Sequence, residues 1–221
     1  MKLRIALLIG LLLAVFAGRA SETVAVPNVR VGDKWVVRAR HVAAHLNETT
    51  NWEVRREVTK VARNVATLKY EMLPPTSPAT GLTHYDLASQ VMLQGLRGGT
   101  AEPARFPMAP GNEWKYEYEG RLGLFSARYD MSATVVGWED VTVPAGTFRA
   151  LRIAHTGSWS READFSREGR TGTWTGSVKV TYWYAPAAKT MVKTLCTWTS
   201  SYRGTAAAFQ EELVEFSLSG K

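Results

Sequence analysis

Few residues in the sequence have the types and spacing that chemistry requires. His41 and His45 stand four residues apart, which places both on one side of a strand or a helix. Two such histidines could begin a metal site, but a third ligand is needed, and His84 and His155 are distant in sequence. The spacing favours two polar surface histidines at the end of a strand, and we expect no metal and no other cofactor.

Two pairs of carboxylates are the candidates for acid–base catalysis. Glu139 and Asp140 are adjacent, and adjacent residues of a strand face opposite ways, so they cannot act as a couple without a bulge. Glu162 and Asp164 share a side in a strand, but arginines at positions 161, 167 and 170 make surface ion pairs the better explanation. No nucleophile elbow, phosphate-binding glycine loop or Cys-x-x-Cys motif occurs. We expect no catalytic residues and a protein that is not an enzyme.

The single cysteine, Cys196, excludes an internal disulfide. A nucleophilic role would need a base partner, and none lies near it in sequence. A free cysteine in this setting is expected to be a small buried apolar residue. The domain must therefore be held together by its hydrophobic core, which a chain of this length can build.

Aromatic residues are the one positive signal for binding. In "EWKYEYEG", Trp114, Tyr116 and Tyr118 share one face, and in "SVKVTYWYAP" a further tryptophan, Trp183, lies among alternating aromatic residues. Two interpretations stay open. These residues are at home in the core of a β protein, or one side of a curved sheet forms an apolar groove, for which Tyr and Trp supply large area with a polar handle. On the second interpretation, Trp114, Tyr116, Tyr118 and Trp183 are the candidate ligand-binding residues.

The elements that must position these residues follow a period of two. Trp35, Val37 and Ala39 alternate with Val36 and polar neighbours in "KWVVRARH", which is typical of an antiparallel strand with one wet face. Glycine and proline clusters separate such runs. We predict a mostly β protein, a single curved antiparallel sheet or half-barrel, with one or two short helices. The segment 83–96 fits a helix or a hairpin, and strands are slightly favoured there. The segment 205–218 begins like a helix, because alanine and glutamate favour helix, but its tail alternates like a closing strand.

The stretch "VTVPAGTFRALRI", from Val141 to Ile153, predicts a tight turn between two strands. Pro144 has no N–H to donate to a ladder, and Gly146 supplies the positive φ that a tight hairpin or bulge requires. Thr147 is the only hydroxyl and no histidine is adjacent. We therefore interpret the stretch as a structural turn rather than a catalytic loop.

A faint internal repeat links the two halves of the chain. "VRVGDKWVVRA" (29–39) and "MAPGNEWKYEY" (108–118) share a Gly-polar-charged-Trp start that leads into a strand. Duplication would give related sub-units 28–94 and 106–221, joined by a linker over 95–112. The alternative is that both are simply turns followed by a Trp-bearing strand, which is a common arrangement. Either way, we expect a single β-rich domain over 21–221.

The N-terminal segment predicts export. "MKLR" is followed by the apolar run "IALLIGLLLAVFAG" and by small residues suited to cleavage, so residues 1–20 are expected to be a signal peptide. The run is too short to span a bilayer comfortably, and no cysteine near the cleavage site could be lipidated. We expect a periplasmic or secreted bacterial protein without a stable membrane anchor after cleavage.

The charge distribution argues against nucleic-acid binding. The whole chain has a formal net charge of +7, and removing Lys2, Arg4 and Arg19 with the signal peptide lowers it to +4. Positive and negative residues are interleaved, whereas nucleic-acid binding requires a clustered basic surface. We expect no nucleic-acid partner.

Residues 106–196 resemble a widespread family of exported bacterial proteins of unknown function. The resemblance depends on "FPMAPGNEWKYEY", "VTVPAGTFRALRI" and "YWYAPAAKTMVKTL". In the last of these, Lys189 and Thr190 stand where the family usually has glycine. The resemblance implies a strongly curved antiparallel sheet, similar to the half-barrels of periplasmic lipoprotein carriers, and it brings no catalytic residues.

Three functions are compatible with these observations. The favoured one is a non-catalytic envelope protein that binds a hydrophobic ligand, such as a lipid or acyl chain, or an exported polypeptide on a concave β surface. The first alternative is a structural or interaction protein of the cell envelope that has a protein partner and no small-molecule ligand. A hydrolase is the least favoured, because it requires a clustered histidine with a carboxylate or hydroxyl.

Overall fold

A computed structural model describes residues 22–43, 47–73, 80–88, 90–92, 101–122, 125–165, 170–201 and 206–220. The predicted signal peptide and His45 lie outside this part of the chain. The strands are β1 (Lys34–Ala43), β2 (Glu48–Ala62), β3 (Val65–Leu73), β4 (Thr80–Asp86), β5 (Val91–Met92), β6 (Glu113–Leu122), β7 (Phe125–Val143), β8 (Gly146–Phe165), β9 (Arg170–Ala185), β10 (Thr190–Thr199) and β11 (Ala206–Ser217). The prediction of a mostly β protein is confirmed, and the described ranges contain no helix.

All eleven strands belong to one open sheet, in the order β5-β4-β3-β2-β1-β11-β10-β9-β8-β7-β6. Each half of the chain is an antiparallel meander, and the halves meet where β1 pairs with β11. The two-residue strand β5 forms one edge and β6 forms the other, so the sheet does not close into a barrel. Residues near the two ends of the chain thus lie side by side at the centre of the sheet.

The sheet is strongly curved. Strands β7 and β11 are four positions apart, which in a flat sheet would separate them by about 19 Å, at roughly 4.8 Å for each step. Yet the Ala145 N–H, in the turn after β7, donates a 3.1 Å hydrogen bond to the Leu213 carbonyl of β11. Phe148 also packs against Phe216, with ring centroids 5.7 Å apart. The β7–β8 hairpin therefore folds back over the centre of the sheet.

The predicted turn at Pro144 is confirmed as a two-residue hairpin. Val143 pairs with Gly146, which leaves only Pro144 and Ala145 in the connection. Gly146 has φ of +128°, a conformation that side-chain-bearing residues rarely adopt. The turn is structural, since its backbone bonds to β11 and it carries no chemistry.

Each half of the chain opens with a turn of the same geometry. In the first half, the Gly32 N–H donates to the Val58 carbonyl and the Val58 N–H donates to the Asp33 carbonyl, at 2.9 Å each. The same two bonds, at 2.8 and 2.9 Å, join Gly111, Asn112 and Val135 in the second half. Both glycines have φ of +90°. The repeated geometry agrees with two related sub-units, which stay a prediction.

Three hydrophobic clusters form the core of the described part of the chain. One joins Trp35, Val37, Leu213 and the β7–β8 hairpin, one surrounds Trp114, and one surrounds Tyr129. Residues 101–112, predicted as a linker, contribute fully buried Ala104 and Met108 to the second cluster. This irregular segment is also tied to the N-terminal region by a β-bridge between Val24 and Met108. It is therefore part of the core, although it contains no long strand.

β11 shows how tertiary pairing overrides local propensity. Its first residues are alanines, which favour helix, but the strand lies between β1 and β10 and is hydrogen-bonded on both sides. Phe209, for example, faces His41 on one side and Cys196 on the other. A helix here would leave the central ladders of β1 and β10 unpaired, and unpaired buried backbone groups are costly.

Gly176 marks a close approach between β9 and β10. A Cβ at this position would overlap the Thr199 carbonyl oxygen and would lie 2.5 Å from Nε1 of Trp159. That indole nitrogen itself donates a 3.0 Å hydrogen bond to the Thr199 carbonyl. The absence of a side chain thus allows the indole and the carbonyl to meet.

We expect Gly176→Ala to lower the free energy of unfolding by about 2–3 kcal/mol, because overpacking forces the surrounding backbone to move. Chemical denaturation monitored by circular dichroism measures the change. Thr175→Ala, at the exposed neighbouring position, is the control and is expected to change stability by less than about 0.5 kcal/mol. Equal effects of the two substitutions would contradict the steric explanation.

Candidate functional site

A cleft of about 310 Å³ lies on the inner face of the curved sheet. Tyr85 of β4 and Tyr118 of β6 both line it, although these strands lie near opposite edges of the sheet. The other lining residues include Arg56, Gln90, Pro103, Val178, Val180, Tyr182, Thr190, Met191, Thr194, Cys196, Trp198, Phe209 and Glu211. Only a strongly curved sheet brings residues of β2, β4, β6, β9, β10 and β11 around one space.

The floor of the cleft is apolar because apolar residues of the neighbouring strands β9, β10 and β11 lie directly opposite one another. Val180 of β9 faces Cys196 of β10, which in turn faces Phe209 of β11. Val178 similarly faces Trp198. Paired residues of adjacent strands point to the same face, so the alternation in each strand produces one continuous hydrophobic surface.

An ion pair lies at one end of this apolar floor. The Arg56 guanidinium donates to both carboxylate oxygens of Glu211, at 3.1 and 3.2 Å. The two side chains are 21% and 19% exposed, respectively. Burial alone would lower the pKa of Arg56, but the charge of Glu211 and the nearby Tyr85 hold it above its ordinary value. Arg56 is therefore charged, and with Glu211 it forms a fixed polar site in the cleft.

A smaller inner chamber of about 40 Å³ adjoins the cleft. Its walls are mostly apolar and include Trp35, Val58, Leu68 and Leu87. Four residues line both spaces, and we call them the collar: Arg56, Tyr85, Gln90 and Thr190. The inner chamber has room for only a few water-sized groups, so the cleft is the larger of the two spaces.

The structure places three of the four predicted binding residues in one aromatic wall. The Tyr118 ring stacks on Tyr129 with centroids 4.5 Å apart, and on Tyr116 at 6.0 Å. Tyr116 continues this wall to Trp114, which is 5% exposed and packs edge-on against His155. Of the four, Tyr118 alone is among the described lining residues of the cleft. Trp114 and Tyr116 continue the aromatic wall beyond Tyr118, away from the described lining of the cleft.

Trp183 is on the opposite face of β9 from the cleft. Its neighbour Tyr182 lines the cleft, and successive residues of a strand point to opposite faces. The Trp183 indole donates a hydrogen bond to Glu139, and the amino group of Lys193 lies 6.0 Å from the indole centroid. The structure thus does not bring Trp183 together with the other three predicted residues.

His155 is a buried residue that the sequence did not single out for this site. It is 1% exposed, and its Nδ1 lies 2.8 Å from the Tyr116 hydroxyl. Rings of Trp114, Tyr116 and Tyr182 surround it. Burial lowers the pKa of His155 to about 4, although the hydrogen bond with the Pro103 backbone acts in the opposite direction, so the ring is neutral at pH 7.

Solved structures of bacterial proteins share this fold. A candidate lipoprotein from Parabacteroides distasonis aligns with a TM-score of 0.51 and 12% identity, over 89% of this chain and 100% of the other. A candidate exported protein with a YmcC-like fold from Bacteroides fragilis aligns with a TM-score of 0.50 and 12% identity, over 90% and 100%. At these identities the likeness shows the fold alone.

No protein-family model matches the sequence, and no curated protein matches it. The neighbours in structure are described as exported or as lipoproteins, and neither description states an enzymatic activity. These descriptions agree with the resemblance drawn from residues 106–196, while the family itself stays a prediction.

Glu139 and Asp140, which were considered for acid–base catalysis, contact other side chains of the fold. Glu139 binds the Trp183 indole and lies 3.5 Å from Arg152, and Asp140 lies 3.9 Å from exposed Arg149. Within the described ranges, no group of three His, Cys, Asp or Glu side chains could hold a metal ion. No helix in that same part of the chain is long and apolar enough to cross a membrane.

Cys196 is the predicted buried cysteine. It is 6% exposed in the floor of the cleft, and burial raises the pKa of its thiol to about 12. The thiol is therefore protonated at neutral pH and is a poor nucleophile. It contributes apolar surface to the cleft.

Proposed function

We propose that this is an exported, non-catalytic protein that binds a hydrophobic ligand, an acyl chain, in the cleft. The observation that carries the proposal is the apolar floor formed by Val178, Val180, Cys196 and Phe209 inside a space of about 310 Å³. Ligand pockets in proteins span about 300–1,000 Å³ and have mainly apolar walls with a few polar groups. The cleft matches this description at its lower limit, which suits one chain.

The fold supports a binding role over a purely structural one. A sheet that served only as a scaffold would fill its concave side with its own side chains, as the cluster around Trp35 does. Among the residues that the structure describes, the concave side stays open between Tyr85 and Tyr118. Export is supported by the predicted signal peptide, and the descriptions of the structural neighbours are compatible with an envelope location.

Catalysis is not supported by the buried histidine. Within the described residues, His155 contacts the Tyr116 hydroxyl, the Pro103 backbone and aromatic rings. Acyl transfer would require a nucleophile and an orienting group within hydrogen-bond reach of such a base. A neutral histidine surrounded by aromatic rings is instead suited to packing against those rings in the core.

The first experiment is native mass spectrometry, with organic extraction, of protein purified gently from a bacterial periplasm. We expect a co-purifying species with a single acyl chain. Val180→Trp should abolish its retention, because the larger ring would fill the middle of the cleft. Lys179→Trp adds the same ring at the exposed adjacent position and should leave retention unchanged.

A clean apo mass, with no shift across a panel of lipids, would overturn the proposal. Crosslinking in the envelope would then test the alternative of a structural or interaction protein, and capture of an exported polypeptide would identify the other class of occupant. Loss of ligand from both tryptophan variants would also count against the cleft as the binding site.

A further inference from the structure

The charged groups that line the two spaces are balanced. Arg56 is matched by Glu211 in the collar region. Lys189, which lines the inner chamber, lies 3.0 Å from the buried carboxylate of Asp33. The described walls of the cleft and the chamber thus carry two cations, Arg56 and Lys189, and one anion, Glu211. Asp33 lies behind the wall and supplies the second counter-ion, so both cations are paired.

Cys196, Tyr118 and Tyr182 add no charge to the wall of the cleft. Burial raises the pKa of Cys196 to about 12 and raises that of Tyr182 well above its ordinary value. Tyr118 is shifted in the same direction, again mainly by burial. Within the described lining, no unpaired charge is available to attract an ion of either sign.

This balance discriminates between ligands. A carboxylate at the collar would have to share the Arg56 guanidinium with Glu211, and it would leave a net negative charge in a largely apolar space. Burying a charge that has no counter-ion is costly in free energy. An uncharged head group keeps the balance, and it can use the hydroxyls of Thr190 and Thr194 and the amide of Gln90, which both donate and accept.

We propose that the cleft binds a single-chain amphiphile with an uncharged, hydrogen-bonding head group, such as a monoacylglycerol, in preference to a free fatty acid. The head group lies at the Arg56–Glu211 pair, and the tail lies along Val180, Cys196 and Phe209. The inner chamber is too small for the tail, which fixes this orientation. The inference deepens the proposed function and depends on it.

The test compares 1-monolauroylglycerol with laurate at pH 7.5, since the two share the same chain and differ in the charge of the head. Titration calorimetry with delipidated protein measures both dissociation constants. We expect the monoacylglycerol to bind at least tenfold more tightly. If both bind and laurate binds equally well or better, the inference is wrong while the proposed function stands. If neither binds, both are wrong.

Glu211→Gln tests the mechanism of the preference. It removes the carboxylate and leaves the charge of Arg56 unbalanced, so the affinity for laurate should rise at least tenfold relative to that for the monoacylglycerol. Glu53→Gln is the matched control, because it unpairs Arg38 in an exposed ion pair outside the cleft, and it should leave the ratio unchanged. An unchanged ratio in folded Glu211→Gln protein would overturn the inference.

A double variant provides a second readout if Glu211→Gln does not fold. Arg56→Gln combined with Glu211→Gln keeps the wall uncharged, and the preference for the monoacylglycerol should persist. Circular dichroism verifies folding in each case. A preference for laurate in the double variant would contradict the role assigned to charge balance.

Discussion

Replacing Asp33 by alanine is expected to lower the free energy of unfolding by about 3–5 kcal/mol, since it removes one partner of a buried ion pair. Asp33 is fully buried, and its carboxylate accepts bonds from the Arg30 N–H, the Lys189 amino group and the Ser219 N–H and hydroxyl. It thereby joins the loop before β1, the β9–β10 turn and the C-terminal segment. The substitution would leave Lys189 without its counter-ion in a mostly buried position.

Urea denaturation at pH 7 measures this loss. Asp140→Ala is the matched control, because Asp140 makes only a long, exposed contact with Arg149, and exposed ion pairs contribute at most about 1 kcal/mol. Lys189→Met in the Asp33→Ala background should restore part of the stability by removing the unpaired cation. Comparable losses in Asp33→Ala and Asp140→Ala would show that Asp33 does not join these segments.

The same carboxylate predicts a loss of stability in strong acid. Burial would raise the pKa of Asp33, but the bonds from Arg30, Lys189 and Ser219 hold it below its ordinary value. A depressed folded-state pKa contributes stability at pH values above the unfolded pKa, near 4. That contribution to stability disappears as the pH falls further, through the folded-state pKa of Asp33. The loss of stability from this residue therefore occurs below pH 4.

The local features of the fold could be predicted from the sequence because they depend on neighbouring residues. Alternation in "EWKYEYEG" correctly put Trp114, Tyr116 and Tyr118 on one face of the strand and Lys115 and Glu117 on the other, which is exposed. Pro144 and Gly146 correctly marked a hairpin. An alternation with a period of two and a tight turn each depend on only a few consecutive residues, so both can be predicted from the sequence alone.

The cleft could not be predicted, because it depends on which strands become neighbours. Arg56 and Glu211 are 155 residues apart and meet only because β1 pairs with both β2 and β11. Glu211 also belongs to a segment whose alanines and glutamates favour a helix. Alternation assigned Trp183 to a row but could not say which row faces the concave side. No local signal in the sequence distinguishes these residues from surface ions or core aromatics.

Between pH 6.5 and pH 4 the protein is expected to lose about 3 kcal/mol of stability through His155. Burial lowers the folded-state pKa of this residue to about 4, whereas an unfolded histidine titrates near 6.5. In this range the unfolded chain binds a proton that the folded protein excludes, so the free energy of unfolding falls as the pH falls. A difference of about 2.5 pKa units at roughly 1.36 kcal/mol each gives the expected magnitude.

Urea denaturation at intervals between pH 7 and pH 4 measures this slope, and variants identify its source. His155→Phe keeps an aromatic ring among Trp114, Tyr116 and Tyr182 and removes the titrating group, so its stability should lose most of the pH dependence in this range. Tyr116→Phe removes the hydroxyl that bonds to Nδ1 but leaves His155 buried, and it should retain the slope because burial is the main cause of the shift. An equally steep slope in His155→Phe would assign the pH dependence to other groups. Since the Asp33 contribution falls below pH 4, the two effects occupy separate ranges and can be measured in one series.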